Sequence, residues 1–374
     1  MSRKTVALGI LLITLLTVSI LATIRFLDNV NSNMEFFVGV EFAYSDNIDD
    51  LKDLVDKVKN YTNLFVIGAL GISFNQTILN ESCDYIVNAG LHFVVLFTDS
   101  TRYSYDIFTW ITNAKQKYAG KFLSLYRFDE PGGHQIDNGN NMIVKNATDY
   151  ADAAAKYVGN WSLHLNYYFN FIDEIVTADY ALYWFDYKAG YSTVLAEFGW
   201  NHSRTLHIGL CRGAAKAHNK DRGAIITWEY DDAPYIESAE RLYEDMILAY
   251  KNGAKYVVVF SYPKIGQYGV LTEEHFNALK NFWNYIHVNS HDHGVIQGKM
   301  AYVLPQDYGF GFRKPDDKIW GLWDADALSS KVWADINTLL AQYDLYLDII
   351  YDEAETMDAA KSHYDKLLFW NETV

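Results

Sequence analysis

Residues 93–128, FVVLFTDSTRYSYDIFTWITNAKQKYAGKFLSLYRF, contain a complete βαβ unit and decide the fold class. The two ends of this stretch, 93–98 and 122–128, are short apolar runs rich in Val, Leu and Phe, which indicates strands buried on both faces. The segment between them, 105–118, is amphipathic and predicts a helix. Two buried strands joined by a helix pair in parallel, so this stretch predicts an α/β fold.

The same alternation recurs along most of the chain and predicts eight strands. Helices are expected between them, for example over 48–60, 147–158 and 236–251, and Gly253 follows the last of these where a C-cap glycine belongs. Consecutive βα units without a long break favour a closed (β/α)8 TIM barrel, with a doubly wound open sheet as the alternative. The predicted strands are 36–43, 64–69, 93–98, 122–128, 163–168, 180–185, 224–229 and 256–262.

The composition indicates a large globular protein that does not bind nucleic acid. Of the 374 residues, 50% are hydrophobic and 16% aromatic, so the chain can bury a substantial core. A formal net charge of -16 repels phosphate backbones, and the sequence holds no large Lys/Arg cluster. Neutral polyols stay open as ligands, because their recognition depends on aromatic faces and hydrogen-bonding side chains more than on net charge, and the 10 Trp and 29 Tyr supply such faces.

The N-terminus, residues 1–33, is predicted to be a membrane anchor. Arg3 and Lys4 precede an uncharged apolar run over 5–24, which has about the length of a spanning helix. A cleaved signal peptide is the alternative, although the residues before Arg25 form a poor cleavage site. The positive N-terminus orients the bulk of the chain outward, as a single-pass protein of the cell membrane. Extracellular placement is supported by glycosylation sequons at Asn60, Asn75, Asn80, Asn146, Asn160, Asn201 and Asn371.

A second, small unit is expected at the C-terminus. The barrel is assigned to 34–290 and the C-terminal α/β unit to 295–374, with a linker around His291 and His293. The aromatic stretches within 308–323 are expected to pack between the two units and hold them together, and the alternative is that they line a sugar-binding groove. The unit resembles a truncated flavodoxin-like layer, with strands at 300–304, 347–351 and 366–370 and a helix at 329–343.

Neither a cofactor nor a metal is implied. Cys83 and Cys211 are the only cysteines, so neither a disulfide scaffold nor a cysteine zinc cluster is expected, and each is interpreted as a buried hydrophobe. His291 and His293 flank an aspartate with no further ligand nearby, which argues against a metal site. The sequence holds no nucleotide-binding glycine loop and no catalytic-serine motif.

The working residues of a (β/α)8 barrel lie at the C-terminal ends of its strands. The predicted strand ends of this chain are mostly acidic, and aromatic residues accompany them. The acidic and amide candidates are Glu41, Asp99, Asp129, Glu130, Asn166, Asp186 and Glu229. The candidates for stacking against sugar rings are Trp184, Trp228, Tyr230 and Tyr262.

Two of these strand ends carry a recognisable pattern. The fourth predicted strand ends in YRFDEP at 126–131, and the seventh ends in ITWEY at 226–230. Together with the order of elements over roughly 35–290, this resembles the large clan of (β/α)8 glycoside hydrolases. In that clan an acid/base Glu, often in Asn-Glu-Pro, ends strand four, and a nucleophilic Glu ends strand seven. Asp129 stands where the clan commonly has Asn, a departure that bears on the contact with the sugar 2-hydroxyl.

The resemblance implies a retaining hydrolase acting on O-glycosidic bonds of surface or environmental glycans. Glu130 would be the acid/base, with its pKa raised by burial and by Glu229, and Glu229 would be the nucleophile, about 5 to 5.5 Å away. Arg127 would hold Glu229 ionised. In the alternative mechanism, similar to that of β-hexosaminidases, the substrate acetamide is the nucleophile. Asp129 would then orient the acetamide, Glu130 would act as the acid, and Glu229 would bind substrate.

A function of a different class stays open beside both mechanisms. Acidic strand ends are common in barrels, so Asp129 could cap the following loop while Glu229 and Arg127 form a buried ion pair. The chain would then be a catalytically silent surface protein that binds glycans or serves as a scaffold. Turnover of glycosides separates this hypothesis from the hydrolase.

Overall fold

The computed structural model describes residues 35–373. Within them, eight parallel strands close into a barrel in which each strand pairs with the next and the eighth pairs with the first. This confirms the closed barrel and excludes the doubly wound open sheet. The barrel strands are β1 (Phe37–Phe42), β2 (Leu64–Ile67), β3 (His92–Phe97), β4 (Phe122–Arg127), β5 (Ile175–Asp179), β6 (Thr193–Phe198), β7 (Asp221–Ile226) and β8 (Tyr256–Phe260).

Helices follow the strands and cover the outside of the barrel, as right-handed βα connections require. Most begin with a side-chain cap; Asn47, for example, accepts a hydrogen bond from the N–H of Asp49 at the start of the first helix. The helices of this part are α1 (Ile48–Val58), α2 (Leu70–Phe74), α3 (Gln76–Asn88), α4 (Ile107–Lys117), α5 (Pro131–Asn138), α6 (Tyr150–Tyr168), α7 (Tyr183–Ala189), α8 (Arg204–Ala217), α9 (Ala239–Lys251) and α10 (Glu273–Val288).

Apolar side chains from all eight strands fill the barrel interior. Phe37 and Tyr256 stack with their ring centroids 5.2 Å apart. At Gly39 a Cβ atom would lie 2.0 Å from the carbonyl oxygen of Leu64, so only glycine lets β1 and β2 approach this closely. The interior is therefore a packed core, and any ligand site must lie above it. The fully or nearly buried members of this core are Phe37, Leu64, Val66, Val94, Tyr126, Val176, Ala178, Leu195, Ile225, Tyr256 and Val258.

The predicted fifth and sixth strands are wrong in position. Residues 163–168 lie inside α6, and 180–185 overlap the start of α7. The alternating apolar and polar residues of 163–168 suggest a strand, but Trp161, Leu165 and Tyr168 are buried at helical spacing while Leu163 is 73% exposed. The true β5, IVTAD, has five residues and ends in Asp, which makes its hydrophobic signal weak. The true β6, TVLAEF, has the same pattern as β1, FVGVEF, and was overlooked.

The C-terminal residues form a three-stranded parallel sheet with the order β10-β9-β11. Its strands are β9 (Met300–Leu304), β10 (Leu347–Tyr351) and β11 (Lys366–Phe369), and its helices are α11 (Ala327–Tyr343) and α12 (Ala354–His363). The predicted strands and helix of this unit are thus confirmed to within two residues. The predicted anchor lies outside the described residues, and within 35–373 no helix is both long enough and apolar enough to span a membrane.

The small sheet packs closely against α8 of the barrel. A Cβ atom at Gly213 would lie 2.4 Å from the carbonyl oxygen of Ile349, so this glycine allows direct backbone contact. Arg212 of α8 is buried and donates to Asp348 of β10 at 2.6 Å. Trp320, in the aromatic stretch before α11, is completely buried, as expected for a residue that cements the two parts.

Candidate active site

The turn after β4 has an unusual backbone. Phe128 has φ 55° and Glu130 has φ 51°, both in the left-handed region that L-residues with a side chain avoid. Each such residue costs about 1–2 kcal/mol, so the surrounding structure must stabilise the turn. Glu130 is also the N-cap residue of α5, and Pro131 occupies the first helical position, where its missing N–H does no harm. Strain of this kind concentrates at functional sites, and here it brackets Asp129.

Asp179, at the end of β5, holds this turn in place. Its carboxylate accepts hydrogen bonds from the backbone N–H groups of Gly132 at 2.5 Å and Gly133 at 2.8 Å. These are the donors that an N-cap side chain usually satisfies, so Asp179 caps α5 from a neighbouring strand. A Cβ atom at Gly133 would lie 2.2 Å from the Tyr180 ring, which explains why glycine follows Glu130-Pro131 here.

Four carboxyl groups gather at the mouth of the barrel: Glu41, Asp129, Glu130 and Glu197. Glu41 lines the barrel interior, and Glu197 shares the inward face of β6 with Leu195, two residues earlier. The carboxyl group of Glu130 lies within hydrogen-bonding distance of that of Glu197. Tyr126 donates a hydrogen bond to Asp129. The structure therefore brings together side chains from β1, β4 and β6.

Burial raises the pKa values of these acids. The pKa of Glu130 is raised to about 8, by burial first and then by the charges of Asp129 and Asp179. Burial likewise raises the pKa of Glu41, with a further contribution from Asp129, and that of Glu197. Burial of the carboxyl group also raises the pKa of Asp129, although the residue as a whole is exposed to solvent. The raised pKa favours the protonated form of Glu130, which is the form a general acid needs, and its side chain is partly accessible to solvent.

A second layer of polar groups connects α5 to the C-terminal unit. Tyr180 donates to Asp137 of α5 at 2.6 Å. Arg313, from the stretch before α11, donates to Asp137 and forms two hydrogen bonds with Asp317, at 2.9 and 2.7 Å. Burial raises the pKa of Asp137, but the hydrogen bonds from Tyr180 and Arg313 outweigh it and lower the pKa overall. The helix that begins at Glu130 is thus tied to the C-terminal unit by an arginine.

Glu229 lies in a different environment from that of Glu130. Its carboxylate pairs with Arg204 at 2.9 Å and with Arg241 at 3.2 Å, and its side chain is only 3% exposed. Arg204 also pairs with Glu237 at 3.0 Å and with Asp245 at 2.8 Å. Glu229 is therefore a member of a buried ion cluster.

The partners of Arg127 differ from the expected ones. Arg127 pairs with Asp99 at 2.6 Å and lies between the rings of Phe128 and Tyr168, on the outer side of β4. The expected contact of Arg127 with Glu229 is wrong, because Arg127 and the inward-facing Tyr126 are adjacent in a strand and point to opposite faces. Asp99, predicted at the mouth, accordingly makes its ion pair outside the barrel wall.

Aromatic side chains form part of the rim after β6, β7 and β8. Trp228 and Tyr262 stack with centroids 5.9 Å apart, and the indole N–H of Trp228 donates to the backbone oxygen of Tyr262 at 2.6 Å. Tyr262 is 45% exposed and Tyr230 is 49% exposed. Trp200 packs edge-on against Trp228. The rim therefore presents flat apolar faces to solvent beside the acidic mouth.

Three predicted site residues do not lie at strand ends. Asn166 is exposed near the C-terminal end of α6, at the opposite end of the barrel from the mouth, because the helices run antiparallel to the strands. Trp184 is 2% exposed and donates to Glu353 of the C-terminal unit at 2.9 Å, so it cements the two parts. Asp186 is fully buried on α7, where it hydrogen-bonds with Asp179 and accepts from Tyr157 at 2.6 Å.

Asp179 and Glu197 were not among the predicted site residues. Both lie on the two strands that were misplaced. A signal for Glu197 was present, because TVLAEF of β6 repeats the form of FVGVEF of β1, with Glu at the fifth position of an apolar strand. No group of three or more His, Cys, Asp or Glu side chains is arranged to hold a metal ion within residues 35–373.

A comparison with solved structures gives matches at low sequence identity. The chain is similar to α-L-fucosidase isoenzyme 2 from Paenibacillus thiaminolyticus, with 9% identity and a TM-score of 0.53, over 89% of this chain and 64% of the fucosidase. The pneumococcal virulence factor StrH gives 8% identity and a TM-score of 0.45, over 69% of this chain and 85% of that chain. Tryptophan synthase from M. tuberculosis gives 11% identity and a TM-score of 0.38, over 68% and 94%.

These likenesses are likenesses of fold. The closed barrel of eight parallel strands, together with the likeness to the fucosidase, defines the class of protein as a (β/α)8 barrel, and a shared fold does not by itself fix the activity. This chain spans less than two thirds of the length of the fucosidase. No protein-family model and no curated protein matches the sequence.

Proposed function

We propose that the chain is a glycoside hydrolase that cleaves O-glycosidic bonds of glycans, with Glu130 as the general acid. The observation that carries the proposal is the placement of Glu130. A strained turn holds its partly accessible carboxyl group among other acids at the mouth of the barrel, and burial raises its pKa in the direction that favours the protonated form. A glycosidic bond breaks when such an acid protonates the leaving oxygen.

Two features support a substrate-assisted mechanism over a protein nucleophile. Glu229, the nucleophile in the retaining hypothesis, is bound by two arginines and is almost inaccessible. Asp129, in contrast, is exposed next to Glu130, and its orientation is fixed by Tyr126. A carboxylate in this place can accept a hydrogen bond from the N–H of a 2-acetamido group and turn the acetamide oxygen toward the anomeric carbon.

The rim aromatics fit a sugar substrate. Trp228 and Tyr262 form a stacked pair, and the exposed rings of Tyr262 and Tyr230 suit the apolar face of a pyranose. We place the enzyme at the outer surface of a cell membrane, held by residues 1–33, and expect glycans at sequons such as Asn60 and Asn146. Exposure of both asparagines supports this placement.

The proposal is tested by hydrolysis of aryl 2-acetamido-2-deoxyglycosides and the matching 2-hydroxy glycosides by the full-length protein. Wild type is expected to prefer the acetamido series. Glu130→Gln should reduce kcat about 10²- to 10⁴-fold, the usual contribution of a general acid. Asp129→Asn should reduce turnover of the acetamido series only.

Glu229→Gln is the matched control, since it makes the same substitution at a glutamate that belongs to a separate buried ion cluster. It should leave kcat within a few-fold while lowering the stability of the buried ion cluster. Loss of all turnover in Glu229→Gln with retained folding would favour the retaining mechanism. No turnover by wild type on either series would leave the silent glycan-binding barrel as the better description.

A further inference from the structure

Glu197 is a buried acid with an unusual set of neighbours. Its backbone belongs to β6, where the preceding residue, Ala196, lies opposite Asp179 of β5 in the strand register. Its side chain points inward and reaches hydrogen-bonding distance of the Glu130 carboxyl group, and the residue is 3% exposed. Glu197 therefore contacts the proposed acid from the side away from solvent.

No positive charge compensates Glu197. Within residues 35–373, none of the ion pairs includes it, and its Oε2 atom is buried without a hydrogen-bond donor. An ionised carboxylate in such a place would lose its hydration and gain no partner, which costs several kcal/mol. A neutral carboxylic acid avoids this cost, because its O–H can donate to a neighbouring carboxyl oxygen.

Most of the titratable groups around Glu197 are carboxylic acids and phenols. The groups that act electrostatically on Glu197 are acids, while β7 places the apolar Ile225 opposite it. Two histidines lie nearby: His134 on α5, 3.5 Å from Glu130, and the buried His207 on α8, 2.7 Å from the hydroxyl of Tyr183. The charges of Glu130, Asp129 and Asp179 all oppose ionisation of Glu197. The surrounding titratable groups are Glu41 of β1, Tyr126 and Asp129 of β4 and its turn, Asp179 of β5, Glu130 and His134 at α5, and Tyr183 of α7.

We propose that Glu197 is held as a neutral carboxylic acid whose O–H group donates to a carboxyl oxygen of Glu130 and so positions the general acid. This deepens the proposed function, on which its catalytic consequence rests. When Glu130 protonates the leaving oxygen, its O–H bond and the glycosidic C–O bond break, and the electron pair of the C–O bond goes to that oxygen. The Glu130 carboxylate left behind then accepts the hydrogen bond of Glu197, which keeps its own proton. Glu197 is a positioning residue, since it acts on substrate through Glu130.

The test is a pH titration of the Glu130 carboxyl carbon by NMR, in full-length protein with ¹³C-labelled glutamate and without substrate. Glu130→Gln assigns the signal, which is needed because the pKa of Glu237 is also raised to about 8. Glu197→Gln keeps a neutral hydrogen-bond donor and should leave the Glu130 pKa unchanged. Glu197→Met removes the donor at similar size and should raise that pKa by about one unit.

Two results would overturn the proposal. A fall of one unit or more in Glu197→Gln would show that Glu197 is ionised in the wild type and raises the pKa of Glu130 by its charge. An unchanged titration in Glu197→Met would show that no hydrogen bond exists. Glu174→Gln, at the far end of β5, is the matched control and should change nothing.

The titration separates this proposal from the proposed function. It needs no turnover, so an inactive protein with the expected NMR result would refute the hydrolase and keep the hydrogen bond. In an active enzyme, the alkaline limb of kcat/KM should move upward in Glu197→Met by the same amount as the NMR value. If Glu197 had only a structural role, Glu197→Met would lower the stability of the protein but would shift neither the NMR pKa of Glu130 nor the alkaline limb of kcat/KM.

Discussion

At the residue scale, the position of Glu130 at the mouth of the barrel depends on two glycines that allow the turn after β4 to form. Gly132 and Gly133 follow Glu130-Pro131 and give their N–H groups to Asp179. Their lack of side chains lets the turn lie flat against the end of β5, where a Cβ at Gly132 would sit 2.5 Å from the carbonyl oxygen of Ala181. The strained backbone of Glu130 is maintained by these contacts.

Gly133→Ala is predicted to destabilise the protein and to displace Glu130. The added methyl group would overlap the Tyr180 ring at 2.2 Å, and overpacking of this kind costs about 1–3 kcal/mol. Gly159→Ala, on α6, is the control, since nothing lies within 4 Å of its Cβ position. It should stabilise by about 0.5–1 kcal/mol. Urea unfolding measures both, and equal effects of the two variants would contradict this explanation of the turn.

At the element scale, α5 connects the barrel to the C-terminal unit. It begins at the proposed acid and carries Asp137, which Arg313 binds from the stretch before α11. Tyr180, which packs on Gly133 at the start of α5, donates to the same carboxylate. The C-terminal unit therefore contacts the helix that positions Glu130.

Arg313→Ala is predicted to lower kcat on the order of tenfold, because small displacements of a catalytic group have large effects on rate. Lys188→Ala is the control, since Lys188 also joins the barrel to the C-terminal unit, through Glu353 at 2.9 Å, but away from α5. It should change kcat less than about twofold, in line with the small contribution of a partly exposed ion pair. Equal losses in the two variants would show that α5 has no special role.

At the scale of the whole molecule, the sequence predicted the closed barrel, six of its eight strand positions and the small C-terminal sheet. These elements have strong local signals, such as the continuous apolar run of His92–Phe97. β5 and β6 were misplaced because helix α6 also carries alternating aromatic residues, and only tertiary burial distinguishes Leu165 from the exposed Leu163.

The candidate site was predictable only where a strand with a strong local signal precedes the site residue. Asp129 and Glu130 follow a strong strand and were identified. Glu197 lies within β6, a strand whose position was predicted wrongly, and was not identified. The partners of Glu229 are brought together only by folding, since Arg204 is 25 residues away along the chain. Long-range ion pairs of this kind leave no periodic pattern in a sequence.

The central claim, that Glu130 is the general acid, is tested most directly by the pH dependence of kcat/KM in wild type and Glu130→Gln. The pKa of Glu130 is raised to about 8, so its acid form is present below that pH and is lost above it. Wild-type kcat/KM should therefore fall about tenfold per pH unit above roughly pH 8, and Glu130→Gln should show a low rate without this alkaline limb. A limb that persists unchanged in Glu130→Gln would contradict the account.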